Sequence, residues 1–387
     1  MRLVHTSDWH AGRIWKTLSR LDELEAVLSG LACYVEQEKV DFLLMSGDVF
    51  DTGAPSALAE RLVFRFLRRV GDAGTQSIVI AGNHDSAARL DAWGLLAELV
   101  NVHTRGRVRQ AQDGGVIKLR SRDQEQLIVA AVPWASVGEI VSALEMADDP
   151  TIAHQRYAEW MKRITQHLSA EFSADAVNVL MAHTHLEGAI FGGSERKVHI
   201  GDDWAATAQM LPANAHYIAL GHIHKPQSIA SAPSPTYYAG SPLQLDFGEA
   251  HEEKSFVVID AAPRTPAMIR RIPYQGGKSL HKLTASLEEL ERQADSLKTE
   301  GWLSVTVPLN QPDPDIGGKV RRLLPNAISV DFEPLWEDAP PPTASRAGMS
   351  PSELFRAYCV REQGHEPDAR LLEAFAQLHE QAGRTLE

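Results

Sequence analysis

Five short apolar runs in this chain each end in side chains able to bind a metal, and that repetition constrains the fold more than any other feature. "RLVHTS" (2–7) leads to Asp8 and His10, "VDFLLMSG" (40–47) to Asp48, and "SIVIAG" (77–82) to Asn83 and His84. "NVLMAH" (178–183) ends in His183 with His185 just beyond, and "YIALGH" (217–222) brings His222 and His224. One such turn alone, for example "ALGHIHKPQ", reads as loop decoration, because histidine is common at surfaces. Five repeats at equivalent places do not. In open α/β sheets the carboxyl edge of the strands is where ligand sites assemble. The pattern therefore predicts an α/β protein whose strand ends converge on one metal site.

The donor types narrow the chemistry. Asp8, Asp48, Asn83, His10, His183, His222 and His224 supply two carboxylates, one amide oxygen and four imidazoles, with no thiolate. That is too many for one ion with an open position, and it suits two borderline divalent cations such as Mn²⁺, Fe²⁺ or Zn²⁺. Two such ions about 3.5–4 Å apart form the clamp used for in-line displacement at phosphorus. The formal net charge of −13 argues against a protein that coats nucleic acid with a basic surface. A bound cation pair would reverse the sign locally around Asp8 and Asp48 and attract a phosphodiester.

Other apolar runs, "QLIVAAVPW" (126–134), "PTYYAG" (235–240) and "SFVVIDA" (255–261), complete the expected strands, with helices between them. The stretch 56–70 places Leu58, Leu62, Phe66 and Val70 four apart, beside Val63 and Leu67, as a helix packed on a sheet would. After about residue 275, "LEELERQADSL", "WLSVTVPL", "DIGGKVRRLLP" and "AISVDFE" read as helix, strand, helix, strand. Residues 336–349 are rich in proline and small side chains, the composition of a linker. Beyond them Ser350 and Glu353 flank Pro351 in a capping box that opens one helix, and "DARLLEAFAQLHEQA" forms a second. The two cysteines, Cys33 and Cys359, are too far apart for a CxxC pair, as expected of a reducing cytosol. The chain shows no signal-peptide pattern and no run of membrane-spanning length, so a cytoplasmic location is expected.

In order, "DWH", "GDVFD", "GNHD", "AHTH" and "GHIH" resemble the calcineurin-like metallophosphoesterases, and "HTSDWHAGR" with "AGSPLQLDFGE" (239–249) resembles more particularly the SbcD family of double-strand-break repair nucleases. The resemblance implies a four-layer αββα metallophosphoesterase sandwich at 1–274, with a small α+β capping, DNA-binding domain at 275–335. A C-terminal helical pair at 350–387 would dock an SbcC-like ATPase. It further implies that Asp8, His10 and His224 hold one metal and Asn83, His183 and His222 the other, with Asp48 bridging and manganese as the ion. His84, which cannot easily coordinate beside Asn83, would face the scissile phosphate as the catalytic side chain, with a water acidified by the cations attacking. Some relatives carry histidine at the position of Asp51, which puts a phosphate contact there in doubt. Asp85 would orient His84 or a loop amide. His5, His185 and His199 are read as bystanders of the surface-histidine kind. Arg13, Lys16, Arg20 and Lys225, with Arg105 and Arg107, are candidate contacts to DNA phosphates.

The function the resemblance implies is Mn²⁺-dependent DNA cleavage, as a 3′–5′ exonuclease on double-stranded ends and an endonuclease on single strands and hairpins. The alternative is a small-molecule phosphoesterase acting on nucleotide or lipid pyrophosphates. A homodimer is expected through the helices at 56–70 and 86–100, where Phe64 and Trp93 lie off the main apolar stripes. In the tail, Leu354, Phe355, Tyr358 and Cys359 share one face, and Leu371, Leu372, Phe375 and Leu378 another.

Overall fold

The computed structural model describes residues 1–15, 18–135, 150–192 and 206–335, together with 355, 356, 358, 359, 367, 368, 371, 372, 374 and 375. The chain divides into two compact units, one formed by Met1–Val307 with Asp315–Asp331 and the other by Pro308–Pro314 with Phe332–Glu387.

Along the first unit run β1 (Arg2–Thr6), the small hairpin β2 (Ile14–Trp15) and β3 (Leu18–Ser19), α1 (Leu21–Gln37), β4 (Phe42–Met45), α2 (Ala57–Asp72) and β5 (Gln76–Ile80). Next come α3 (Ala87–Ala97), β6 (Val102–Arg105), β7 (Val116–Arg120), β8 (Gln126–Val132), α4 (Pro150–Ser169), β9 (Val177–His183) and β10 (Tyr217–Gly221). They are followed by β11 (Gln227–Ser228), β12 (Thr236–Tyr238), β13 (Ser255–Asp260) and β14 (Met268–Pro273). One six-stranded sheet has the order β14-β13-β1-β4-β5-β6, and a second has the order β11-β12-β10-β9-β8-β7. β1, β4 and β5 are parallel neighbours in the first sheet, as are β8, β9 and β10 in the second.

Each central strand is apolar on both faces. In the first sheet Leu3, Phe42, Leu44, Ile78 and Ile80 point to the second sheet and meet Val129, Val179, Met181 and Tyr217. Their neighbours Val4, Leu43, Met45 and Val79 point the other way, against α1, α2 and α3. On the second sheet Ala130, Leu180 and Leu220 face outward against Met161 and Leu168 of α4. The side-chain period of two, applied to strands buried on both sides, thus produces helix, sheet, sheet, helix, the expected αββα sandwich. Strands buried on both faces read as continuous apolar runs, which is why they are visible in the sequence. β6, β7 and β14, not anticipated, are edge strands whose polar residues interrupt any such run.

Leu58 departs from expectation: it is 56% exposed, while Leu62, Phe66 and Val70 are buried. A strict four-residue repeat precesses about 40° per step on a 3.6-residue helix, so the first leucine rotates off the packed stripe.

Beyond β14, β15 (Leu280–Thr284), α5 (Leu287–Leu297), β16 (Trp302–Leu309), α6 (Ile316–Leu323) and β17 (Ala327–Pro334) form the compact elements expected there, with β15 in addition. α5 starts at a complete Ser286–Glu289 capping box. A buried network joins this region to α1: Arg20 pairs with Glu23, and Glu23 accepts from Trp302 Nε1 at 2.8 Å and from the Lys278 backbone at 3.0 Å. In the second unit the rings of Phe355 and Phe375 stack 4.2 Å apart, Cys359 is buried and Tyr358 exposed. The expected linker 336–349, and Leu354 and Leu378, lie outside the described residues. Among the described residues no helix is long and apolar enough to cross a membrane.

Candidate metal centre

The carboxyl ends of β1, β4 and β5 in one sheet and of β9 and β10 in the other meet along one edge of the sandwich, and these ends and the loops leaving them carry every residue singled out for metal binding. Ligand atoms of Asp8, His10, Asp48 and His224 all lie within 4.8 Å of one another, and all four residues are buried. Beside them, Asn83 Oδ1 stands 3.0 Å from His183 Nε2 and 2.9 Å from His222 Nδ1. Asp48 lies between the two groups, its Oδ2 3.6 Å from His10 Nε2 and 3.7 Å from His183 Nε2.

Bringing neighbouring strand ends and the two sheets this close demands glycine in the strand-end motifs. A Cβ on Gly82 would sit 2.3 Å from the Asp48 backbone nitrogen, and one on Gly221 would sit 1.9 Å from the Ser46 carbonyl oxygen. The ligand loops are also bent against local preference. Asp8, His10, Asp48 and His222 have φ of 54°, 45°, 52° and 97°, a region costing non-glycine residues on the order of 1–2 kcal/mol each. Such strain persists where surrounding structure dictates the geometry, and here backbone bonds do so: Asp8 N donates to Gly47 O and His10 N to Asp48 O, each at 3.0 Å.

The ring nitrogens reveal what the site is built to hold. His183 Nδ1 lies 2.7 Å from the Ser46 carbonyl, which can only accept, so Nδ1 carries the proton. Burial pushes this ring's pKa down to about 3, so it is neutral and its Nε2 is a bare lone pair. That lone pair faces the Asn83 carbonyl oxygen. Likewise the Nε2 atoms of His10 and His224 face each other at 3.0 Å, with the outer nitrogens directed to Asp51 Oδ1 at 3.4 Å and Glu249 Oε1 at 3.7 Å. Burial also lowers the His10 and His222 pKa values well below the ordinary range. The His183 lone pair and the Asn83 oxygen are converging acceptors that repel unless a cation lies between them, so the residues present fit divalent metal.

His84 stands beside these ligands, and ligand atoms of His10, Asp51 and His84 also lie within 4.8 Å of one another. The His84 backbone N–H donates to Asp48 Oδ1 at 2.8 Å and its Nδ1 to the Asp51 carbonyl at 2.8 Å. Asp85 orients loop amides: its carboxylate accepts from Gly82, Phe50 and Val49 at 2.9, 3.0 and 3.2 Å. Burial raises its pKa to about 6 despite those donors. Asp51, whose side chain is 25% exposed, faces His10 and Arg13.

Several expectations about the surroundings need correction. Arg20 is buried, bonded to Glu23 and to the backbone of Gln244 and Lys278, so it cannot meet a phosphate. Arg105 spends its guanidinium on the carbonyls of Gly114 and Thr104. Arg13 is half-buried with NH1 3.6 Å from Asp51, Lys225 is half-buried and Arg107 exposed, while Lys16 and His199 fall outside the described residues. His5 is no surface residue: it is fully buried between the sheets, with Nδ1 2.9 Å from the Tyr217 hydroxyl. His185 packs on Phe191, outside the ligand cluster. Two residues to which the sequence assigned no role support the ligands. Ser46 fixes the His183 ring, and Trp134 stacks on His222 at 5.2 Å and 25°. Only the position of Trp134 at the end of an apolar run hinted at this.

Fold and site together are those of a metal-dependent phosphoesterase. A family model described as "Calcineurin-like phosphoesterase" matches residues 1–226, and one described as "Type 5 capsule protein repressor C-terminal domain" matches residues 269–363. The chain is 33% identical to the SbcD component of nuclease SbcCD from Bacillus subtilis, covering 87% of this chain and 86% of that one. It is 30% identical to the same component from Rhodobacter capsulatus (92% of each) and 28% identical to that of Escherichia coli K12 (84% and 82%). The chain belongs to the calcineurin-like phosphoesterases and, within them, to the SbcD family of SbcCD nuclease components.

Proposed function

We propose that this protein is a Mn²⁺-dependent DNA nuclease that works with an SbcC-like ATPase in DNA repair and recombination, in the cytoplasm. The observation that carries the reading is the place of Asp48, within 3.7 Å of a histidine from each of the two ligand groups while its other oxygen accepts the His84 amide. One carboxylate thus serves both metal positions and fixes the residue that acts on the phosphate. Asp8, His10 and His224 would hold one ion and Asn83, His183 and His222 the other, with Asp48 shared. When bound, two divalent cations would neutralise the phosphodiester and acidify the attacking water. With Nδ1–H committed to the Asp51 carbonyl, His84 has Nε2 as the atom that can exchange a proton with the leaving oxygen.

The names of the relatives favour a nuclease over a phosphoesterase of small pyrophosphates. On this reading the protein acts as a 3′–5′ exonuclease at double-stranded ends and as an endonuclease on hairpins and single strands. Residues 275–335 cap the nuclease domain of 1–274 and guide DNA, and 350–387 dock the ATPase. A homodimer formed through α2 and α3 fits the surface they leave. There Phe64 is 41% exposed against Trp93, and Leu95, Leu96 and Leu99 are 73–82% exposed, a patch of the kind that marks protein contacts.

The test sets labelled linear duplex, hairpin and single-stranded DNA against bis-p-nitrophenyl phosphate and nucleotide pyrophosphates, with Mn²⁺ and with EDTA. Manganese-dependent DNA cleavage abolished by EDTA is the expected result. Turnover confined to small pyrophosphates would sink the nuclease reading.

A further inference from the structure

The outer nitrogen of His224 faces a carboxylate to which no role in the site has been given. Glu249 ends the single 3₁₀ turn Phe247–Glu249 and is completely buried. Its Oε1 lies 3.7 Å from His224 Nδ1, on the far side of the ring from the Nε2 that meets His10. Its other oxygen accepts the Leu245 amide at 2.9 Å and pairs with Lys254 Nζ at 2.7 Å. Lys254, itself buried, also donates to the His224 backbone carbonyl at 2.9 Å and to Glu252 at 2.8 Å. One ion pair therefore grips residue 224 at both its ring and its backbone.

We propose that Glu249 is a positioning residue for His224: it holds the ring with the proton on Nδ1, so that the Nε2 lone pair is presented to the metal centre. The inference rests on the metal reading above. A buried ion pair is a poor source of stability, because the desolvation of both charges offsets their attraction. Lys254 already has Glu252 as a counter-charge, so a second, fully buried carboxylate is not needed to neutralise it. What Glu249 adds is an acceptor 3.7 Å from His224 Nδ1, the arrangement by which carboxylates orient metal-ligating histidines.

The substitution Glu249→Gln separates this role from packing. The glutamine carbonyl can replace Oε2 for Leu245 and Lys254, which turns its NH₂ toward His224. Facing a donor, the ring must accept at Nδ1 and carry its proton on Nε2, where a proton blocks metal ligation. Glu249→Asp keeps an acceptor-only carboxylate, one methylene shorter, and should restore part of the effect. Imidazole ¹⁵N NMR of the metal-free full-length chain should show His224 protonated at Nδ1 in the wild type and at Nε2 in E249Q. Calorimetric titration with manganese should show one of two sites weakened by about 10–100-fold in E249Q, with recovery in Glu249→Asp. An E249Q chain that keeps the Nδ1 proton, whatever its affinity, or that binds manganese within twofold of wild type, would overturn this assignment alone. A wild-type chain that binds no manganese would overturn it together with the metal reading.

Discussion

The Nε2 atoms of His10 and His224 stand 3.0 Å apart although 214 positions separate them in the chain. Each ring turns its other nitrogen to a carboxylate, Asp51 for His10 and Glu249 for His224. The contact joins the end of β1 in one sheet to the end of β10 in the other, so the site exists only when both sheets are packed.

The shared carboxylate and the apical histidine should separate by what their loss removes. Asp48→Ala should abolish DNA cleavage and lower metal content below two ions per chain. His84→Ala should abolish cleavage and keep both ions, because its ring bonds to the Asp51 carbonyl. Removing a general acid–base group typically costs about 10²–10⁴-fold in rate. Metal analysis beside single-turnover cleavage checks this, and equal metal loss in both variants would refute the division of roles.

Association should depend on exposed Phe64 and the half-buried Trp93 beneath it. Phe64 and Trp93 meet edge to face at 4.9 Å beside the exposed leucines after residue 94. The double substitution Phe64→Asp and Trp93→Asp should convert a dimer into a monomer in sedimentation at micromolar concentration, with metal binding retained. A wild type that is already monomeric there would remove the idea.

Stability should fall on mild acidification through His5. Burial lowers the pKa of this ring from 6.5 to about 3, so it stays neutral in the fold while the unfolded chain takes up a proton below about pH 6.5. The unfolded state then binds more protons, and stability drops as pH falls from about 6.5 toward 3. The loss approaches about 1.4 kcal/mol per pH unit. His5→Gln, which can still bond to the Tyr217 hydroxyl, should lose about 2 kcal/mol less than wild type between pH 6.5 and 5 in urea unfolding. Equal slopes for the two chains would show that His5 is not the source.

Docking should fail when the stacked rings of the tail are separated. In the second unit the Phe355 and Phe375 rings stack 4.2 Å apart. Phe355→Asp with Phe375→Asp, or a chain ending near residue 335, should lose co-purification with the ATPase. Manganese-dependent cleavage of single strands should persist. Full-affinity binding by both variants would place the docking surface elsewhere.

The sequence by itself determined the strands buried on both faces, because a parallel sheet covered on each side must be apolar at every position, and "FLLM" or "NVLMAH" can be little else. It determined the metal-competent residues too, since Asp8, Asn83 or His222 directly follow such runs and the edge they reach is common to all. It could not reveal β6, β7 or β14, whose solvent-facing side chains dilute the apolar signal. It read His5 as a surface bystander, and only the packing of the two sheets buries that ring beside Tyr217. Arg20 read as a free cation, and only packing against Glu23 and Gln244 withdraws it from solvent. The partners of the ligands, Asp51, Ser46, Trp134 and Glu249, were decided by tertiary structure alone. Each acts through an atom a few ångströms from a residue remote in the chain, and such distances are set by how two sheets pack and not by the order of residues within either.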